Sequence, residues 1–185
     1  MIEGKLVNLR AGEMGDLDRN LQWVNDPEVT EHLNMRYPIS RGAEEEWMRA
    51  GASKMNGFAR PFFAIETKDG RHIGNINFHH TSPEDRSGHL GVMIGDKEYW
   101  SKGYGTDAMV TLLRFAFDEM NLHRVDLTVD EDNPRAIACY CKAGFVEEGR
   151  LRDVIYSRGR YRDQFYMGVL RDEFYALHGR AEASS

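Results

Sequence analysis

The sequence predicts an α/β (α+β) fold in a single domain: a mixed, mainly antiparallel sheet with one central parallel βαβ step and helices on both faces. Three observations predict it. Alternating Leu90, Val92 and Ile94 read as a strand, residues 104–120 as an apolar-striped helix, and Val125, Leu127 and Val129 as the next strand. Strand, helix, strand in that order implies a right-handed parallel crossover. Before it, β-rich runs at 62–66 and 73–78 flank Lys68-Asp69-Gly70-Arg71, and Asp-Gly between such runs is a hairpin signal. After it, runs at about 146–156 and 161–170 turn back on each other through Ser157-Arg158-Gly159-Arg160.

The remaining elements follow in order. Leu6-Val7-Asn8-Leu9-Arg10 forms a short first strand. Residues 13–24 place Met14, Leu17, Leu21 and Val24 at helical spacing, and Asn25-Asp26-Pro27 stops that helix. Ser40 caps a second helix whose first turn holds Glu44, Glu45 and Glu46, where the macrodipole favours anions. Met109, Leu112, Leu113, Ala116 and Met120 share one face of the long middle helix. Asn133 at the N-cap and Pro134 at the first helical position open a short helix that Gly144 ends. A final helix begins near Asp172. No internal repeat appears, so the chain is one domain over 1–178 with a frayed tail at 179–185.

At 185 residues, with 41% hydrophobic and 29% charged residues, the chain has the size and composition of one globular domain. No apolar run is long enough to span a bilayer and the first residues lack a signal-peptide core, so the expected location is cytoplasmic, with no membrane partner. A net charge of −6 argues against a broad nucleic-acid surface and is compatible with a cationic small substrate. Cys139 and Cys141 would point about 200° apart on a helix, which suits neither a disulfide nor shared metal ligation. They read as buried or half-buried reduced thiols, and no metal site is expected.

Gly103-Tyr104-Gly105-Thr106 stands between a strand and a helix. Glycines let the backbone approach a bulky anion, and a first helical turn offers unpaired N–H groups at a positive dipole end. The loop lacks the Lys-Ser/Thr of a nucleotide hydrolase. Gly103-x-Gly105-x-x-Ala108, with Asp126 and Asp130 about 20 residues on, matches a dinucleotide fingerprint. However, residues 96–102 separate the first glycine from its strand, and an antiparallel pair follows where further βαβ units would be needed. The dinucleotide reading loses.

Taken together, Tyr99-Trp100-Ser101-Lys102-Gly103-Tyr104-Gly105-Thr106-Asp107-Ala108 and Asn133-Pro134-x-Ala136-Ile137-x-x-Tyr140-x-Lys142-x-Gly144-Phe145 resemble the GNAT superfamily of acyl-CoA-dependent N-acetyltransferases. Trp23-x-Asn25-Asp26-Pro27-Glu28-Val29 is similar to its ribosomal-protein N-terminal acetyltransferase (Rim-type) branch. Gly149-Arg150-Leu151 and Gly159-x-Tyr161-Arg162-Asp163 are shared with that branch and with spermidine acetyltransferases. The resemblance implies acetyl-CoA as co-substrate and a primary amine, either a small molecule or a peptide N-terminus, as acceptor. It implies that Met93, Ile94 and Gly95 hydrogen-bond the pantetheine arm through their backbone. The loop of Trp100, Ser101, Lys102, Gly103, Tyr104, Gly105 and Thr106 would wrap the pyrophosphate. Asn133, Ala136 and Lys142 would meet the cofactor, Tyr140 would lie by its sulfur, and the chain would form a homodimer through its C-terminal strands. The superfamily often has Gln or Arg where Trp100 stands, whereas Trp occurs there in the Rim-type branch.

Acetyl transfer needs a neutral amine, while an alkylammonium has a pKa of about 10.4 and an α-amino group about 7.7–8.0. The site must therefore remove a proton, stabilise charge on the thioester oxygen and protonate the leaving thiolate. Tyr140 is the candidate acid. His79, His80 and His89 lie near strand ends facing the expected cleft and are candidate bases, as are Glu28 and Glu31; a water chain without one dedicated base fits equally. Two further functions remain open: a polyamine acetyltransferase specifically, or a binding module that keeps the CoA site without turnover.

Overall fold

The computed structural model describes residues 1–54, 58 and 60–180. Residues 181–185 of the expected tail lie outside them. The described strands are β1 (Ile2–Glu3), β2 (Val7–Ala11), β3 (Phe62–Thr67), β4 (His72–Ser82), β5 (Ser87–Ile94), β6 (Arg124–Asp130), β7 (Val146–Ser157) and β8 (Arg160–Leu170). They form one sheet in the order β1-β2-β3-β4-β5-β6-β8-β7, antiparallel except for β5 with β6. The helices are α1 (Leu17–Val24), α2 (Arg41–Lys54), α3 (Tyr104–Asp118), α4 (Pro134–Ala143) and α5 (Arg171–His178).

Adjacent side chains show how the two faces divide. On β3, Phe63 packs edge-on to Phe115 of α3, while its neighbour Phe62 packs edge-on to Trp47 of α2. Successive strand residues point to opposite faces, so α3 and α2 lie on opposite sides of the sheet. The α3 face is the core: Leu9, Ile65, Ile76, Val125 and Val169 meet Met109, Leu112, Leu113 and Ala116, all fully buried. Met120, expected on that stripe, lies past the end of α3 and packs half-buried against the core.

Both expected hairpins form. Gly70 takes φ +85° and Thr67 N–H donates to Arg71 O at 2.9 Å. Arg158 and Gly159 both have positive φ, the requirement of the tight turn whose twist matches the flanking strands. The first helix differs from expectation. It opens with a 3-10 turn at Met14–Asp16, whose tighter winding takes Met14 off the stripe and leaves it exposed. Leu17, Asn20, Trp23 and Val24 are the buried residues of α1. The thiols differ as well: Cys139 is half-buried but Cys141 is exposed, because the inward face of α4 runs through Tyr140 and Ala143. Among the described residues no helix is long and apolar enough to cross a membrane.

A polar hub pins α1 to the sheet. Arg10 on β2 forks onto both carboxylate oxygens of Asp16 at 2.7 and 2.9 Å, and its Nε donates to Glu66 at 2.6 Å. Asp16 is buried, which works to raise its pKa, but the Arg10 guanidinium and the Glu13 amide outweigh burial and hold it below the usual carboxylate range. A depressed carboxyl contributes stability above its unfolded pKa and loses it as pH falls. The melting temperature is therefore expected to drop as pH falls below about 3.8, the unfolded value, and Asp16→Asn is expected to flatten that part of the profile. Arg10→Met, which strands the buried carboxylate, is expected to cost about 3 kcal/mol at pH 7 by denaturant titration.

Candidate active site

β5 and β6 pair only at Ser87↔Arg124, Gly88↔Val125 and His89↔Asp126. Beyond that rung β5 continues to Ile94 and β6 to Asp130, each still paired on its other side. The two strands therefore part into a V whose inner edges carry backbone groups without a strand partner. A cavity of about 970 Å³ fills this V. Met93 and Ile94 line one wall and Val129 and Asp130 the other.

The structure brings most of the expected site residues to this cavity: Met93, Ile94, Trp100, Ser101, Gly103, Gly105, Thr106, Asn133, Ala136, Tyr140 and Lys142 all line it. Gly95, Lys102 and Tyr104 do not. The Gly95 amide donates to Ile73 O at 2.9 Å, away from the V, and the residue is packed so tightly under Trp23 that an added Cβ would lie 2.1 Å from the indole. Tyr104 packs edge-on to Tyr99 at 4.9 Å, and Lys102 is exposed.

The mouth of the cavity is built for an anion. Gly103, at φ +91°, is the N-cap of α3 and offers no side-chain acceptor to the first-turn amides. Asp107, the acidic residue of that turn, faces the other way and accepts from the Lys5, Leu6 and Val7 amides at 3.2, 2.7 and 3.0 Å. At Gly105 a Cβ would come within 3.6 Å of Cys139 Sγ and Ile94 Cγ1, partly filling the cradle. Trp100 donates its Nε1–H to Ile94 O at 2.6 Å, and the Arg135 guanidinium stacks 3.7 Å from its ring centre. Arg135 lines the cavity with no carboxylate partner among the described residues. A cation thus stands on the Trp100 ring beside the loop. These groups fit a CoA diphosphate.

Deeper in, Tyr140 is 9% exposed. Burial first, then the nearby Cys139 and Asp130, push its phenol well above the usual tyrosine range. A phenol in that state keeps its proton and can donate it. Cys139 accepts from the Thr106 hydroxyl at 3.4 Å; burial pushes its thiol up and makes it inert. Asn133 Oδ1 accepts from Ala136 N–H at 3.1 Å, so this residue caps α4 while lining the cavity.

The face opposite the core is polar. His32 Nδ1 lies 3.2 Å from Asp130 and 3.6 Å from Asp132, a grouping that could hold a metal ion. However, Arg162 approaches the same carboxylates at 2.9 and 3.2 Å and already compensates their charge. Gln164 adds a hydrogen bond to Asp130 at 2.9 Å. Glu44 of α2, 5% exposed, also lines the cavity; burial raises its pKa, and no described residue hydrogen-bonds its side chain. Of the candidate bases, His79, His89 and Glu28 line the cavity, whereas His80 and Glu31 do not. Glu28 is bound by Lys97 at 2.8 Å and Glu31 by Arg158 at 2.6 Å. Sequence reasoning missed Arg135, named Asp130 only for the rejected dinucleotide reading, and quoted Glu44 and Arg162 without placing them in the site. The period-2 pattern of β6 put Asp130 opposite the buried Val125, Leu127 and Val129, whereas nothing local set Arg135 beside Trp100 or Arg162 beside Asp130.

A parallel pair that parts midway, with a glycine-led helix start at the opening, defines a class of proteins that seat a CoA thioester in the gap. The family model described as an acetyltransferase (GNAT) domain matches residues 7–146, and the chain belongs to that family. It is an acetyl-CoA-dependent N-acetyltransferase acting on an amine. It is similar to the spermidine N(1)-acetyltransferase of Vibrio cholerae, at 30% identity over 91% of this chain and 95% of the relative. The putative ribosomal N-acetyltransferase YdaF of Bacillus subtilis is 34% identical over 57% of each chain. The crystal structure of the Vibrio cholerae spermidine N-acetyltransferase in complex with CoA and spermine superposes with a TM-score of 0.82, at 28% identity, covering 91% of this chain and 98% of that one.

Capping α4 and lining the cavity can be separated at Asn133. Asn133→Ala is expected to lower stability by about 1 kcal/mol through the lost cap, and Asn133→Asp to restore it. If Asn133 also meets the cofactor, the Asp variant regains the melting temperature but keeps a raised KM for acetyl-CoA, as steady-state kinetics would read.

Proposed function

We propose that the chain acetylates small polycationic amines of the polyamine class, with Tyr140 as the acid and the α3 start as the diphosphate grip. The observation that carries the acceptor class is Glu44, a carboxylate buried in the cavity wall and without a hydrogen-bonding partner among the described residues. Isolated buried carboxylates are costly, and burial alone raises this one. A second ammonium group on the acceptor, placed beside Glu44, would restore its charge. Trp47 and Phe62 line the same wall and offer ring faces to an alkylammonium chain. The likeness to spermidine acetyltransferases supports the same reading.

Acetyl-CoA, when bound, supplies the activated acyl thioester. The residues of the chain do the rest. First-turn amides of α3 and the Arg135 guanidinium hold the diphosphate, and Trp100 keeps Arg135 in place. Backbone N–H groups on the open edge of β5 face the carbonyl and stabilise charge on its oxygen. Tyr140, kept protonated by burial, delivers its hydroxyl proton to the departing sulfur. For oligomeric state we propose self-association through β7, the edge of the sheet, where Leu151, Val154 and Tyr156 are exposed. Two free thiols suit a reducing compartment, the cytoplasm.

A thiol-release assay with acetyl-CoA against polyamines, aminoglycosides and short peptides tests the acceptor. Spermidine or spermine is expected to give the highest kcat/KM; a peptide N-terminus ranking first would overturn the polyamine reading, and binding of CoA without thiol release would favour a non-catalytic module. Tyr140→Phe is expected to reduce kcat by roughly 10² or more. Glu44→Gln is expected to raise KM for the polyamine about tenfold, or about 1.4 kcal/mol, with KM for acetyl-CoA unchanged.

A further inference from the structure

We infer that His89, held in place by Asp126, is the group that takes the proton from the incoming ammonium. This rests on the amine-acetylation reading and adds to it the identity of the base and of the residue that positions it. His89↔Asp126 is the last rung of the β5–β6 pairing, so both residues stand at the closed end of the V. Val125, Leu127 and Val129 of β6 point into the core, so Asp126 points to the opposite, polar face, where the acceptor enters.

The geometry fixes the tautomer. His89 Nδ1 lies 2.6 Å from Asp126 Oδ1. A carboxylate at that distance demands a proton on Nδ1 and leaves the lone pair on Nε2. Orienting an imidazole through a carboxylate on its far nitrogen is the arrangement of histidine bases in nucleophilic triads. Asp126 is 8% exposed. Burial works to raise its pKa, yet hydrogen bonds from His89 and Tyr166 and the charge of Arg124, 3.6 Å away, hold it down and keep it ionised.

The other titratable groups around His89 do not compete for the role. His79 and His80 on β4 have ring centres 5.8 Å from that of His89, and Tyr166 on β8 lies at 6.3 Å. Neither of the two β4 histidines has a carboxylate partner among the described residues. Burial, and then the neighbouring His89, His80 and Arg60, push the pKa of His79 down, and no carboxylate among the described residues orients its ring. His80 stays outside the cavity, while His89 shares it with Tyr140. From His89 to the open edge near Val92 the strand runs on the order of 10 Å, so the proton crosses by way of water.

The step balances. The ammonium R–NH₃⁺ gives one proton to His89 Nε2 and becomes R–NH₂. Its lone pair then forms the C–N bond, the C–S bond breaks, and the electron pair left on sulfur takes the Tyr140 proton. Tyr140 recovers a proton from the new amide nitrogen, and His89 releases its own to solvent. The net change is one ammonium and one thioester to one amide, one thiol and one proton.

A base is needed only when the acceptor arrives protonated, and that gives the test. With an alkylamine at pH 7, His89→Gln is expected to lower kcat/KM roughly 10²-fold. Asp126→Asn is expected to lower it about tenfold or more, and the double variant to be no worse than His89→Gln alone, because the two act as one unit. With a fluorinated ethylamine that is already neutral at pH 7, both variants are expected to come within a few-fold of the wild type. Acetyl-CoA affinity by calorimetry is expected to stay unchanged, and nitrogen NMR of labelled histidine to show an Nδ1–H tautomer at His89 that Asp126→Asn abolishes. His89→Asn replaces His89→Gln should the latter fail to fold. Equal losses for the protonated and the neutral amine would make the pair structural and overturn the inference. A wild type that releases no thiol with any amine would instead remove amine acetylation, and the base role with it.

Discussion

One interruption in hydrogen bonding governs this molecule: β5 and β6 stop pairing after His89 and Asp126. A sheet interior leaves few backbone groups unpaired, because each one buried without a partner costs free energy. Here the cost is confined to a gap that a ligand can fill. The strands stay anchored on their outer sides by β4 and β8, so the gap is held open by the sheet around it. Extended ligand geometry suits such an edge, since a chain of amides can take the place of the missing strand.

The two faces of the sheet then divide the labour. On one, α3 and α4 close a dry core and present a helix start, a phenol and a stacked arginine to the gap. On the other, carboxylates, histidines and amides line the way in, tied by Arg162, Gln164 and His32 into a network that spans β6, β8 and the segment after α1. Buried ion pairs of this kind add little net stability but fix geometry. The polar face can therefore change composition without disturbing the packing of the core face.

Much of this was legible in the order of residues. The α4 boundaries are read directly from Asn133, Pro134 and Gly144, since capping and backbone conformation are local. Both hairpins follow from glycines that need positive φ. The glycine loop and Tyr140 come together because α3 and α4 are consecutive around one parallel step. What could not be read depends on distant chain. Nothing local tells that Arg135 rests on Trp100, that Asp126 meets His89 across 37 residues, or that Glu44, in a run of three glutamates that looks solvated, is the one turned inward. Local periodicity also misplaced Met14, because it assumed a full α-helical turn where the chain winds more tightly. The exposed Cys141 shows the same limit: a helical wheel gives neighbours on a face and leaves the width of the buried stripe to tertiary packing.

The Asp107 latch bears on how the chain is made. Its carboxylate satisfies three successive amides about 100 positions earlier. During synthesis from the ribosome, the opening strands wait until this helix has emerged before their backbone can be completed. Such long-range closure is slow and leaves early edges exposed to wrong partners. The same contact that seats the start of α3 thereby makes Lys5, Leu6 and Val7 among the last to settle, and ties completion of the gap to the moment the middle of the chain becomes available.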